Sequence, residues 1–570
     1  MQIYLEGHSA PINLSTGDFV AEGGQGKVFA RGDVAYKVFH DPGQVPPVGK
    51  MNALRAIDHP GVLVPETRLL DSNGQVIGYT QRFVHTATPL CSLFSKAWRR
   101  RHQITEQTIA DLVLELREMV CRVHAASTLV VDLNEMNFLV ADEPGGRRLY
   151  AIDTDSYQTP GYPATALSER VRDRQGPQGV FNEGTDWFAF AVVSFQMFRG
   201  VHPFQGKHPT VKGLDARMQA GVSVLDDAVR VPGAALGPEV IPQGWQSWYW
   251  RVFQEGHRGP PPATLNATAT THITVRPAVD DDSMTRQEVH RAPGPILAWL
   301  PTPRGPVYVS DDRVWLGDRP VMPLPGVRWA LVLSPRGRRP VLVWLDGSAL
   351  RGVDLLTEQP LTLNIYADDL APGGDQVLYR SGADLYTLTL KEIGPQLIAA
   401  PRRLTPVTPL ATTLLHGCAL DHLDGLPRLH VSQASGACHT LRLPDLQAYR
   451  TLTGARHGGV IMLIGQHQSG RWDRITIRTA LKGHTLDFDL HVTEDVDERS
   501  VSFALLDTGV LVSATSEGLL LQRSKVGQSG ERQVPAGGLP VDHQIYCRDD
   551  ALLACGPEGD DWVMWRLRLQ

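Results

Sequence analysis

The chain has 570 residues, and its 55 Lys and Arg against 61 Asp and Glu give a formal net charge of −6 at pH 7. It is 42% hydrophobic and 20% charged, a composition typical of globular proteins with more than one core. No basic excess favours nucleic acid as a partner. The longest apolar stretch, 187–198, is shorter than the roughly 20 residues that cross a bilayer, so no membrane partner is expected.

The first pattern with chemical meaning is AEGGQGKVF, residues 21–29. It matches the glycine-rich loop G-x-G-x-x-G-x-V at Gly23, Gly26 and Val28, with Ala21 in place of the first glycine. A glycine-rich turn between strands lets backbone N–H groups approach phosphates without a Cβ clash. An ordinary β-hairpin with glycines has the same appearance, so the motif alone leaves both interpretations open.

A predicted strand, VAYKVF, follows at 34–39, and in it Lys37 is flanked by apolar residues. A lone strand lysine is usually an exposed edge residue, but the glycine loop before it favours a lysine that contacts phosphates. Apolar residues then recur with a helical period over 105–124, after a Thr–Glu capping signal.

Directly after that helix comes VVDLNEMNFLV, residues 130–140. It matches H-R-D-L-x-x-x-N at Asp132, Leu133 and Asn137. Next, LYAIDTDSYQ predicts a strand that ends at Asp153, where D-F-G would lie. The alternatives are a polar loop for the first segment and an Asx-turn for the second.

Within the stretch 184–204, residues 186–198 predict a helix that is apolar nearly all round and therefore buried. The stretch resembles the αF helix of the kinase C-lobe, and this resemblance implies that Asp186 braces the backbone of the loop around Asp132. We assign structural roles to His124, at the end of the long helix, and to His202.

The order of these motifs, taken together, resembles the protein-kinase superfamily. The details DLNEMNFLV, AIDTDSYQ and GTDWFAFAV look most like a bacterial branch of Ser/Thr kinases, whose members are often linked to helix-hairpin-helix domains and occur in stress-response gene clusters. The resemblance implies an α+β, two-lobed domain over 1–262, with an N-lobe of about 1–85 and a C-lobe of about 86–262. It also implies ATP and Mg²⁺ as cofactors, and a von Willebrand-type domain protein and a metal-dependent phosphatase as possible partners.

By the same resemblance, Lys37 and Asp132 are the expected catalytic residues, and Asn137 and Asp153 the expected Mg²⁺ ligands. The residues expected to bind the nucleotide are Ala21, Gly23, Gly24, Gly26, Val28, Ala35, Lys37, Gln81, Arg82, Phe83, Val84 and Leu139. The chain departs from the kinase pattern at Val131, which replaces an Arg, and by having no Glu between Phe39 and Ile57. These departures put activation-loop control and the usual Lys–Glu pair in doubt.

Residues 259–293 are rich in Pro, Thr, Ala and Asp, and we interpret 263–293 as a linker with a possible strand at HITV, 272–275. From 294 to 570 short β-like runs alternate with turns, and coarse units recur near residues 334, 371, 421 and 467. This pattern predicts an all-β propeller of six or seven blades. Two packed sandwiches are the alternative.

We therefore expect an ATP-dependent Ser/Thr protein kinase whose propeller recruits its protein substrate or regulates it. The alternative is a nucleotide-binding pseudokinase with the propeller as a partner-binding scaffold, and a third possibility is nucleotidyl transfer on the same fold. The N-terminus shows no signal-peptide pattern and no two cysteines form a CxxC pair, so a cytoplasmic location is expected.

Overall fold

The computed structural model describes the chain in two compact units. Unit 1 holds nearly all described residues up to 265, and unit 2 nearly all from 284 onwards. The description omits residues 266–283, 303–304, 311, 335–338, 375, 394–395, 434–435, 516, 529, 536–538, 540–542, 549–550, 560 and 570.

Unit 1 contains a seven-stranded sheet with the order β2-β1-β6-β7-β5-β4-β3. Apolar residues of these strands, such as Ile3, Tyr36 and Leu69, are buried in one cluster. The strands are β1 (Gln2–Leu5), β2 (Pro11–Asn13), β3 (Phe19–Glu22), β4 (Gly26–Arg31), β5 (Val34–Phe39), β6 (Arg68–Leu70) and β7 (Val76–Arg82).

A second, three-stranded sheet of unit 1 has the order β10-β9-β8. Its strands are β8 (Thr88–Pro89), β9 (Phe138–Glu143) and β10 (Gly146–Ala151). The helices are α1 (Val48–Arg55), α2 (Lys96–Arg101), α3 (Glu106–Ala125), α4 (Glu183–Arg199), α5 (Leu214–Ala220) and α6 (Gln243–Gln254). The predicted helices at 105–124 and 186–198 are thereby confirmed, and every residue of α4 from Asp186 to Arg199 is buried.

Unit 2 consists of seven four-stranded antiparallel sheets. The first six are each built from consecutive strands: β12–β15, β16–β19, β20–β23, β24–β27, β28–β31 and β32–β35. The strands of the first three sheets are β12 (Ile296–Thr302), β13 (Gly305–Ser310), β14 (Arg313–Leu316), β15 (Arg319–Pro323), β16 (Trp329–Leu333), β17 (Pro340–Asp346), β18 (Ala349–Asp354), β19 (Gln359–Pro360), β20 (Asp369–Pro372), β21 (Gln376–Ser381), β22 (Asp384–Ile393) and β23 (Gln396–Pro406). Those of the next three are β24 (Thr412–Leu415), β25 (Cys418–Leu423), β26 (Leu426–Ser432), β27 (Cys438–Arg442), β28 (Tyr449–His457), β29 (Val460–His467), β30 (Trp472–Lys482), β31 (Thr485–Thr493), β32 (Phe503–Leu505), β33 (Val510–Thr515), β34 (Gly518–Arg523) and β35 (Glu531–Pro535).

The seventh sheet joins the two ends of unit 2. It has the order β11-β38-β37-β36, with strands β11 (Met284–Ala292), β36 (Gln544–Arg548), β37 (Ala551–Glu558) and β38 (Asp561–Leu569). Apolar clusters join each sheet to the next, and one cluster joins the seventh sheet to the first. The sheets therefore form a closed ring, a seven-bladed propeller without an open edge between its ends.

A closed propeller predicts that WVMWRLRL, residues 562–569, pairs with a strand near residue 295 or with HITV. The first pairing is confirmed, because β38 pairs with β11, which ends at Ala292. The predicted start of the propeller at 294 is wrong, since β11 lies inside the predicted 263–293 linker. Most residues of β11 between its two ends are exposed, so the strand has no apolar alternation that the sequence could show. The predicted strand at HITV lies outside the described residues. Among the helices of the described chain, none is long and apolar enough to cross a bilayer.

Candidate active site

The predicted glycine loop is the hairpin between β3 and β4. Ala21 pairs with Val28 in the sheet, and Val28 in turn lies opposite Lys37 of β5. A Cβ on Gly26 would lie only 2.3 Å from the carbonyl oxygen of Val38, so this position requires glycine. Gly23 and Gly24 have open space where a Cβ would be. The backbone of the turn is therefore accessible at Gly23 and Gly24, because no side chain covers it there.

Lys37 is buried and makes two ion pairs. Its Nζ lies 2.9 Å from Asp153 Oδ1 and 2.8 Å from Asp155 Oδ1. Burial alone lowers the pKa of the ammonium, but attraction to both carboxylates outweighs burial, and the pKa of Lys37 is raised. Lys37 is therefore held in its charged form.

Asp132 and Asn137 form a second pair of contacts. Asn137 Nδ2 donates to the Asp132 carbonyl at 2.9 Å and to its Oδ2 at 3.0 Å. Oδ1 of Asp132 accepts from the backbone N–H of Ser168 at 2.6 Å. Asp132 is buried, and both of its carboxylate oxygens accept hydrogen bonds from the chain itself.

The two pairs are linked through the hairpin of β9 and β10. Asn137 directly precedes β9, Asp153 lies two residues after β10, and the N–H of Ile152 donates to the Asn137 carbonyl at 2.9 Å. Antiparallel pairing of Phe138 with Ala151 holds the two ends of the hairpin together. Residues that are far apart in the sequence thus meet at one end of a small sheet.

Asp186, at the start of α4, braces the loop before Asp132. Its carboxylate accepts from the N–H groups of Val130 and Val131 at 2.8 Å each, and from His124 Nε2 at 2.9 Å. This confirms the expected bracing role. Val131 has φ 61° and Asp153 has φ 54°, left-handed conformations that cost energy in non-glycine residues and occur often at functional sites.

The residues expected to contact adenine lie at the end of β7 and beside β9. Gln81 pairs with Ala35 and Arg82 with Val34 across the sheet, and the N–H of Phe83 donates to Asp33 at 2.7 Å. Val84 and Leu139 belong to one apolar cluster. Oε1 of Gln81 is buried without a hydrogen-bond donor in the described residues.

A comparison with solved structures finds similarity to a β-propeller domain. No family model matches the chain, and no curated protein matches it. The chain is similar to the solved β-propeller domain of Myceliophteria thermophila Cps50 (Swd1). The match has 15% identity and a TM-score of 0.33, and covers 49% of this chain and 99% of that domain.

The site residues fit Mg²⁺ only together with a phosphate ligand. Within the described ranges, no group of three or more His, Cys, Asp or Glu side chains is arranged to hold a metal. Mg²⁺ bound with nucleotides usually takes one or two protein ligands and completes its shell with phosphates and water. Asp153, with a side chain 36% exposed, and the amide oxygen of Asn137 are donors of that kind.

A cavity of about 150 Å³ lies beside Val131, lined by parts of the segment 167–181 and by Gln219. Its volume is below the roughly 300–1,000 Å³ of small-molecule pockets. The cavity does not include the residues predicted to bind the nucleotide. Val131, the residue before Asp132, forms part of its wall.

Sequence reasoning missed Asp155 and Tyr79. Asp155 stands two residues after Asp153, and its Oδ1 accepts from Tyr79 at 2.6 Å as well as from Lys37. The sequence signal for Asp155 was the second aspartate of D-T-D. It was not singled out, because D-F-G has a glycine at that position. Tyr79 lies opposite Lys37 on β7, and this register could not be derived from the sequence alone.

Proposed function

We propose that unit 1 is a two-lobed, kinase-like domain that transfers the γ-phosphoryl group of Mg-ATP to a Ser or Thr hydroxyl of a protein. One observation carries the proposal: Lys37, Asp132, Asn137 and Asp153 meet in two contacting pairs joined by one hairpin. Phosphoryl transfer needs positioning and charge neutralisation more than covalent chemistry, and these four residue types supply both.

Each residue has a distinct role in this proposal. Lys37 and the backbone of the β3–β4 turn hold the phosphates, and Asn137 and Asp153 hold Mg²⁺. Bound Mg²⁺ supplies neutralisation of the phosphate charge. Asp132 orients the acceptor hydroxyl and accepts its proton. Ala35, Leu139 and the backbone of Arg82–Val84 would bind the adenine.

The contact between Ser168 and Asp132 bears on the acceptor. The Ser168 N–H donates to Asp132 Oδ1, so in this proposal the acceptor hydroxyl either uses the remaining lone pair of that oxygen or displaces the Ser168 N–H. The same contact favours a second candidate function, a nucleotide-binding pseudokinase in which Asp132 stays covered. In that case the propeller's partner is the output.

In either case we propose that the propeller binds a protein, either the substrate or a regulator. A von Willebrand-type domain protein and a metal-dependent phosphatase are the partners that the family resemblance suggests. A cytoplasmic location accompanies this proposal.

The test is incubation of the full chain with Mg-ATP, followed by intact-mass analysis and mapping of modified residues. The proposal expects mass increments of one phosphate on Ser or Thr. An added nucleotide instead of a phosphate would establish nucleotidyl transfer. Binding of Mg-ATP without any modification of the chain or of a generic protein acceptor would favour the pseudokinase.

A further inference from the structure

The buried carboxylate of Asp155 lies in the turn that follows β10. Its side chain is 4% exposed, whereas that of Asp153 is 36% exposed. One oxygen, Oδ1, accepts from Lys37 at 2.8 Å and from the Tyr79 hydroxyl at 2.6 Å. Burial, followed by the two neighbouring carboxylates, raises the pKa of Tyr79 well above its ordinary value. Tyr79 is thus a permanent hydrogen-bond donor to Asp155.

Helix α1 packs against the same turn but brings no carboxylate to it. Its sequence is VGKMNALR, and its buried charged residue is Lys50, whose Nζ donates to the Pro163 carbonyl at 3.4 Å. Burial lowers the pKa of Lys50, and attraction to Asp155 partly opposes this. The helix that packs against this turn therefore offers Lys37 no carboxylate, whereas in kinases the corresponding lysine pairs with a helix glutamate.

We propose that Asp155 is the positioning residue for Lys37 and replaces the helix glutamate of kinases. It acts through Lys37 and does not touch the nucleotide. The proposal deepens the proposed function, on which its consequence for catalysis rests.

Two consequences follow from the position of Asp155. If Asp153 holds Mg²⁺ as proposed, Asp155 would still neutralise and orient Lys37, so one carboxylate would not have to serve two roles. In kinases, movement of the helix glutamate switches the lysine pair on and off. Here the partner lies on the same short turn as the proposed metal ligand, so the pair with Lys37 needs no carboxylate from α1.

The first test is independent of phosphoryl transfer. It measures the rate at which an amine-specific reagent labels Lys37 in the full chain, read by peptide mass spectrometry. Because Asp155 is the more deeply buried and less screened partner, Asp155→Asn is expected to speed labelling by about fivefold or more. Asp153→Asn, the matched control, is expected to speed it less. Equal or greater acceleration by Asp153→Asn would overturn the proposal.

The second test is kinetic. Asp155→Asn is expected to lower kcat roughly 10- to 100-fold with the KM for ATP within about threefold, since the interaction it removes serves the transition state. In the Lys37→Met background, Asp155→Asn is expected to have no further effect, because Asp155 acts through Lys37. Lys50→Met, the control on α1, is expected to leave kcat unchanged. If the effects of Lys37→Met and Asp155→Asn on kcat were fully additive, the proposal would be contradicted.

The outcomes separate the two claims. If wild type transfers no phosphate, the proposed function fails, and the labelling rates still decide whether Asp155 positions Lys37. Asp155→Glu and the unfolding midpoint of each variant distinguish positioning from folding. Asp155→Glu is expected to restore part of the slow labelling of Lys37 and to leave the unfolding midpoint unchanged. If labelling were faster only in variants whose unfolding midpoint has fallen, the assignment would be overturned.

Discussion

Buried charges are arranged differently in the two units. In unit 1, Lys37, Asp132, Asp155 and Asp186 come from separate segments and meet around one hairpin end. Among the described residues of unit 2, three buried carboxylates each pair with a cation of the same blade: Asp354 with Arg339, Asp421 with Arg428 and Asp473 with Arg471. Charges that pair within one blade brace an architecture, whereas charges that converge from distant segments mark a place where chemistry can occur.

The pairs of unit 2 show what bracing requires. Asp473 is fully buried and accepts from the Tyr449 hydroxyl at 2.7 Å, from Arg471 Nε at 3.0 Å and from the N–H of Asp495 at 3.0 Å. All its partners lie within or beside one blade. No part of this arrangement leaves an oxygen open for a ligand.

The largest stability effect is therefore expected in the propeller. Asp473→Ala leaves a buried hydroxyl, a backbone N–H and an arginine without their acceptor, which costs about 3–5 kcal/mol. Denaturant unfolding measured on the full chain checks this value. ATP affinity should not change, and a loss of less than about 1 kcal/mol would show that Asp473 does not brace its blade.

The next largest effect is expected in unit 1 and concerns ATP affinity. Asp153→Ala is expected to abolish the dependence of ATP affinity on Mg²⁺, because the proposed primary metal ligand is gone. Calorimetric titration with and without Mg²⁺ should show a loss of at least about tenfold, 1.4 kcal/mol, only when Mg²⁺ is present. The neighbouring hairpin variant Asp142→Ala is the control. Equal loss in both titrations would mean that Asp153 binds no metal.

Low pH is expected to destabilise the propeller, because Asp421 becomes protonated. Its burial raises the pKa, but hydrogen bonds from His430 and Thr408 and the ion pair with Arg428 outweigh burial, and the pKa falls to about 2. The folded-state pKa is thus below the ordinary value of about 3.9, so this group stabilises above pH 4, and the stabilisation is lost as the pH falls from about 4 to about 2. The loss is about 2 kcal/mol. Unfolding free energies of wild type and Asp421→Asn across this range test it, and equal slopes would contradict the assignment.

The smallest effect is expected for an exposed pair. Lys482 and Asp487 lie 2.6 Å apart with side chains 72% and 42% exposed. Replacing Lys482 with Ala should leave the free energy of unfolding unchanged within the error of the measurement. A measurable loss of stability would mean that exposed ion pairs of this chain stabilise the fold as the buried ones do.

The sequence was a better guide to unit 1 than to the start of unit 2. The spacing of Lys37, Asp132, Asn137 and Asp153 singled out residues that the structure brings into two contacting pairs, because each residue lies at a strand or turn whose neighbours have strong local signals. Strand β11 was missed because it lies at the edge of its sheet beside β38, and most of its residues are exposed. Such a strand needs no alternation of apolar and polar residues. Asp155 was missed because its importance depends on burial and on the register of β5 with β7.

Asp132 offers the most direct measurement of the central claim, that the converging charges of unit 1 transfer phosphate. Radiolabel transfer from ATP is compared between wild type and Asp132→Ala at equal nucleotide occupancy, with Asp142→Ala as control. The account predicts a loss of roughly 1,000-fold, about 4 kcal/mol, with ATP affinity and unfolding midpoint unchanged. If wild type binds Mg-ATP but transfers no phosphate, and Asp132→Ala behaves identically, the claim is contradicted.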